Sequence, residues 1–195
     1  RSDSRAPRVN RDAGLIKLHS DVVQVTFDEM TGDLLSYRRR NVELLDAAPQ
    51  INFWRPPTDN DLGNGMNEWA AGWKDAGVMR VPGSLVISPT DHATVLVSQT
   101  FELPTVASRL TTTYEIHGSG RLRITQAYRP DDGARLPNLP RFGTQLRMSG
   151  EFEQVAWYGR GPHETYADRQ TSGRFGVYRG EINKQFHRYS RPQET

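Results

Sequence analysis

Residues Val95–Ile116 read VLVSQTFELPTVASRLTTTYEI, and their spacing decides the fold class. Val95, Val97, Phe101 and Leu103 recur at even intervals, as do Leu110, Thr112, Tyr114 and Ile116. Side chains two residues apart share one face of an extended strand, so each run predicts a strand with one dry and one wet side. A turn at His117–Arg121 (HGSGR) leads to Leu122, Ile124 and Tyr128, which continue the pattern. A Pro/Gly-rich connection from Pro130 to Pro140 follows, and then Phe142, Leu146 and Met148. Consecutive alternating strands joined by short turns make an antiparallel meander, and the class expected is all-β, a sandwich.

Upstream, Val22–Phe27 (VVQVTF) is rich in β-formers. Asp28–Asp33 (DEMTGD) supplies turn chemistry before Leu34–Tyr37, so a hairpin is predicted. Asn67–Gly77 (NEWAAGWKDAG) sets Trp69, Gly72, Trp73 and Ala76 at helical spacing. That predicts one short helix over 67–77, with Asn67 as N-cap, Gly77 as stop and both tryptophans on the packing face. The first fourteen residues read as a flexible tail, and residues 15–195 as one domain. The chain ends in polar, loop-like sequence, QFHRYSRPQET, so a sandwich truncated at its C-terminus is expected, with an exposed edge inviting self-association.

Composition narrows the chemistry. There are 195 residues, 35% of them hydrophobic, and no cysteine, which excludes thiolate metal sites and cysteine nucleophiles. Twenty-five basic residues face twenty-three acidic ones, a balance that argues against nucleic acid as a partner. No apolar run is long enough for a membrane-spanning helix. The five histidines are scattered, never at metal-ligand spacing, and neither a phosphate loop nor a GxSxG elbow occurs.

Carboxylates come in two close pairs, Asp59 with Asp61 and Glu164 with Asp168, and glycoside hydrolysis runs on paired carboxylates. In Pro-containing loops such residues more often bond their own backbone as Asx-turns, and no catalytic dyad is assigned to either pair. Phe53–Gly63 (FWRPPTDNDLG) reads as a non-helical loop because of its double proline and Asx cluster. Trp54 and Trp157 lie beside Pro- and Gly-rich segments and are candidates for stacking on sugar faces. Arg38–Arg40 reads as a solvated strand end.

Five motifs in order, INFWRPPTDNDLGNG (51–65), WKDAG (73–77), LPRFGTQLRM (139–148), VAWYGRGPHETYADRQTSGRFGVY (155–178) and YSRPQE (189–194), resemble the C-terminal domain of family 2 β-galactosidases. The resemblance implies a β-supersandwich of galactose mutarotase-like type, the last of several domains. It implies hydrolysis of terminal β-D-galactose by the parent enzyme, with catalytic glutamates on a TIM-barrel domain and Mg²⁺ and Na⁺ held mainly there. It assigns this chain no catalytic residue and no metal ligand. It does imply that Arg55, Thr58, Asp59, Asn60, Asp61 and Gly63 belong to a mobile loop at the active-site entrance, with Gly63 as its hinge. Two other readings stay open: a stand-alone carbohydrate-binding module, and a structural or oligomerisation domain.

Overall fold

A computed structural model describes residues 5–165 and 170–185. They belong to two compact units, 1–148 and 149–195, where the sequence reading expects one domain from 15 to 195. In the first unit, strands β1 (Arg8–Asp12), β2 (Leu15–His19), β3 (Val23–Asp28), β4 (Leu34–Arg39) and β5 (Val42–Glu43) form a five-stranded antiparallel sheet in chain order. Strand β1 corrects the expected tail. Residues 8–12 pair with β2 along their whole length, because the edge of β2 offers backbone partners that an exposed strand would otherwise lack.

After β6 (Ala47–Asn52) come three short helices, α1 (Asp59–Gly63), α2 (Met66–Trp69) and α3 (Ala71–Lys74). Strands β7 (Val81–Pro89), β8 (Thr94–Leu103), β9 (Ser108–His117) and β10 (Leu122–Pro130) then make a four-stranded meander, and β11 (Gly143–Arg147) returns to pair with β6. The class is therefore all-β and antiparallel, as the alternation requires.

Strands β8 and β9 serve two cores with one inward face. Val95, Val97, Tyr114 and Ile116 pack against Ile16, Leu18, Val23, Val25, Phe27 and Leu34 of the first sheet, closing a sandwich. Phe27 meets Tyr114 edge to face at 5.0 Å, and burial pushes the Tyr114 phenol up to about 12. Leu103 and Leu110, farther along the same strands, pack with Phe53, Met66, Ala70, Trp73, Ala76 and Val106. Gln99 and Thr112 sit between the two clusters, both buried. Gln99 Nε2 donates to the carbonyls of Thr100 (2.9 Å) and Gly83 (3.3 Å). Gln99 Oε1 and Thr112 Oγ1 have no hydrogen-bond partner among the described residues.

The helical region departs from expectation in four ways. One helix is predicted over 67–77, and the segment forms two, because Ala70 breaks the run between α2 and α3; Gly65 (φ 74°), in the left-handed region, separates them from α1. Gly65, not Asn67, stands at the N-cap of α2. Trp73 is buried as expected, its Nε1 donating to the carbonyl of Pro137, but Trp69 is 39% exposed and donates to Asn64. Breaking the helix turns the two tryptophans to different sides. Gly77 has a purpose other than a left-handed stop: a Cβ there would lie 2.2 Å from the Ile51 carbonyl oxygen, so only glycine fits.

The second unit is built on one hairpin, β12 (Gln154–Gly161) and β13 (Arg174–Glu181), paired without a register shift.

Candidate functional site

Two places carry the chemistry, one in each unit. In the first, the chain leaves β6 through Phe53, which is buried against Trp73, and Trp54, which is half-buried against the same core. Arg55 and two prolines follow, and then the chain enters α1. This corrects the reading of 53–63 as non-helical. Thr58 takes an extended conformation and caps the helix, and its Oγ accepts the Asp61 N–H at 3.4 Å. The Asp61 carboxylate returns the bond to the Thr58 N–H at 2.9 Å, completing a capping box. The prolines precede the cap, where they remove no helical hydrogen bond.

Asp61 does more than cap. Arg55 grips both its carboxylate oxygens, with Nη2 to Oδ1 at 2.9 Å, and Thr58 Oγ donates at 2.9 Å. The Arg55 hydrogen bonds, helped by the two from Thr58, hold the Asp61 carboxyl well below the usual carboxylate range against the opposing effect of burial. A carboxylate so engaged is a poor proton donor at neutral pH, and its lone pairs are occupied. Asp59 and Asn60 are exposed on the first turn, and the Asn60 carbonyl accepts the Asn64 N–H at 3.1 Å. Gly63 ends the helix without a positive φ; the left-handed residue is Gly65. None of the α1 residues is buried, and the Arg55–Asp61 pair and the capping box tie its first turn to the preceding segment.

In the second unit, Trp157 stands directly across from Tyr178, and their rings stack at 5.4 Å. On that face of the hairpin the neighbouring cross-strand pair is Gly159 with Gly176. Missing side chains let the rings lie flat: a Cβ on Gly161 would come within 2.8 Å of the Tyr178 ring. The Trp157 Nε1 donates to the Arg160 carbonyl at 3.1 Å. Beside the rings lies an open cleft of about 690 Å³ lined by Trp157, Arg160, His163, Glu164, Lys184 and Gln185, among others. His163 is held at both ring nitrogens, Nδ1 at 2.7 Å from the Glu164 carbonyl and Nε2 at 3.2 Å from Ser172 Oγ. Arg160 donates to the Gln170 carbonyl at 2.7 Å and lies over the Phe175 ring.

Sequence reasoning flagged Trp157 and Glu164 but missed Arg160, His163 and Gln185. The glycines at 159, 161, 176 and 180 were the available signal, since they share one face of the hairpin and leave it to the Trp157 and Tyr178 rings and Gln185. Asp168, His187 and the YSRPQE motif lie outside the described residues. Among the described residues, no three His, Asp or Glu side chains gather where they could hold a metal ion.

Comparison with known proteins bears on both places. A family model described as beta galactosidase small chain matches residues 19–195. A β-galactosidase of Lactobacillus delbrueckii subsp. bulgaricus is 34% identical over 194 residues, 99% of this chain but 19% of that protein. One from Priestia megaterium is 33% identical over 168 residues, covering 86% of this chain and 16% of the relative. One from Streptococcus thermophilus is 34% identical over 163 residues, 83% and 16% of the respective chains. The chain thus spans less than a fifth of the length of these relatives.

Proposed function

This chain belongs to the beta-galactosidase small-chain family, and we propose that it is one part of a larger family 2 β-galactosidase. One observation carries the reading: the match runs through almost the whole chain yet covers under a fifth of each relative. The parent hydrolyses terminal non-reducing β-D-galactose from β-galactosides with retention, using two carboxylates about 5–5.5 Å apart. Those carboxylates belong to a TIM-barrel partner domain. Asp61 is committed to Arg55 and the helix cap, which takes it out of acid–base work. The donors for the parent's Mg²⁺ and Na⁺ belong to the same missing portion.

In this reading the chain braces the barrel and lends it the segment Arg55–Gly63. A short helix with no buried residue, flanked by a left-handed glycine, is suited to move as a unit at a site entrance. The pivot assigned here is Gly65, where φ is positive, instead of Gly63.

Assay of an activated aryl β-galactoside tests the proposal. The isolated chain should show no turnover, while adding it to a parent deleted for the matching segment should restore activity. Turnover by the chain that survives repurification would overturn the reading, and so would failure to restore the deleted parent. In the restored enzyme, Arg55→Met should lower kcat/KM about tenfold while leaving association with the parent intact. Analytical ultracentrifugation of the chain alone checks the expected self-association.

A further inference from the structure

We propose that the β12–β13 hairpin carries a saccharide subsite of its own, with Trp157 as the floor on which the apolar face of a pyranose ring lies. Four observations converge on it. The Trp157 ring is fixed from beneath by Tyr178 at 5.4 Å, and its Nε1 is already used on the Arg160 carbonyl, so what it offers a ligand is flat apolar surface. Gly159 and Gly176 give the two rings room to lie on that face of the hairpin, where a Cβ would come within 3.7 Å of Trp157 and 3.4 Å of Tyr178. The cleft's volume of about 690 Å³ falls in the ordinary range for small-molecule sites. Glu164, Gln185 and Thr165 bring oxygen and amide chemistry to the lining, the means of reading hydroxyl groups.

Charge favours a neutral ligand over an anion. Lys184 is paired with Glu181 at 2.8 Å, and Arg160 is occupied by backbone carbonyls and by the Phe175 ring. Each cation thus spends part of its donor capacity within the protein, at the expense of a phosphate or carboxylate. An aromatic floor with mixed, mostly engaged polar groups around it matches a ring with one apolar C–H face and a rim of hydroxyls. Trp54, the other aromatic candidate, packs against the core of the first unit instead. The choice of a galactoside among pyranoses rests on the proposed parent activity, whereas the aromatic floor does not.

The test is saturation-transfer NMR on the intact chain, with methyl β-D-galactopyranoside as probe and methyl β-D-glucopyranoside beside it. Transfer to the ring C–H protons is expected, with a Kd on the order of 1 mM. Trp157→Leu, which keeps apolar volume and removes the flat ring, should weaken binding about tenfold or more; Trp157→Phe should stay within about threefold. Trp69→Ala, which removes an exposed indole elsewhere, should leave binding unchanged. Amide spectra of each variant report that the fold is kept. No transfer from either sugar, equal binding by Trp157→Leu, or loss of binding in Trp69→Ala each overturns the subsite. A subsite that prefers glucoside, with aryl-galactoside restoration intact, corrects the ligand alone. Restoration of the parent without any sugar binding by the chain sinks the subsite and spares the parent reading.

Discussion

Two hairpins in this molecule follow the same period of two and use it for different ends. In β8–β9 every second residue is buried, from Val95 to Leu103 and from Ser108 to Ile116, and the inward face is filled by neighbouring elements. In β12–β13 the pairing is as regular, but Gly159, Gly161, Gly176 and Gly180 take inward positions on one face, while Tyr158, Phe175 and Val177 stand 68–79% exposed on the other. Alternation therefore fixes which side chains share a face. The volume at those positions decides whether the face becomes core or cleft. A strand filled with Val, Ile and Tyr packs against a second sheet; one lined with glycine seats the Trp157 and Tyr178 rings, with an open cleft beside them.

The largest expected effect falls on the sealed hairpin. Ile116→Ala removes a fully buried side chain between the two sheets, and chemical denaturation should show a loss of about 2–5 kcal/mol. Gly161→Ala attacks the open hairpin at its tightest point, 2.8 Å from the Tyr178 ring. Displacing that ring should cost about 1–3 kcal/mol and reduce the near-UV dichroism of the Trp157–Tyr178 stack.

Asp61→Asn comes next, with a loss of about 1–2 kcal/mol through the broken cap and ion pair. Because the folded carboxyl lies below its unfolded value, this contribution is complete above the ordinary carboxylate range. It fades as pH falls through the folded value, and the Asp61 carboxyl carbon should show no titration from pH 7 down through that ordinary range. Thr112→Val trades a buried hydroxyl with no partner among the described residues for a methyl, and should raise stability by about 1 kcal/mol. Smallest is Val177→Ala on the exposed face of β13, within about 0.5 kcal/mol, against several for the equally alternating Ile116. A large loss at Val177 would break the contrast between the hairpins.

Comparing residues shows where legibility ends. Val95, Val97, Tyr114 and Ile116 could be placed in the core because their neighbours on each strand alternate with them. The same rule puts Gln99 and Thr112 on that inward face, yet it could not say that two polar groups would sit between separate hydrophobic clusters. Trp69 and Trp73 share helical spacing, but one positive φ at Gly65 and a break at Ala70 separate their environments. The prolines before Thr58 spoke against a helix, but they lie ahead of the cap, and the capping box from Thr58 to Asp61 starts one just after them.

Strand periodicity, the antiparallel class and the family can be read from the chain alone, because each is written in local spacing or in ordered motifs. Tertiary structure alone decided that Gly77 is held by the Ile51 carbonyl and that Asp61 answers to Arg55. It also decided that four alternating glycines lie against the Trp157 and Tyr178 rings and Gln185. Those outcomes depend on which distant atoms arrive within a few ångströms, and spacing along a chain carries no record of that.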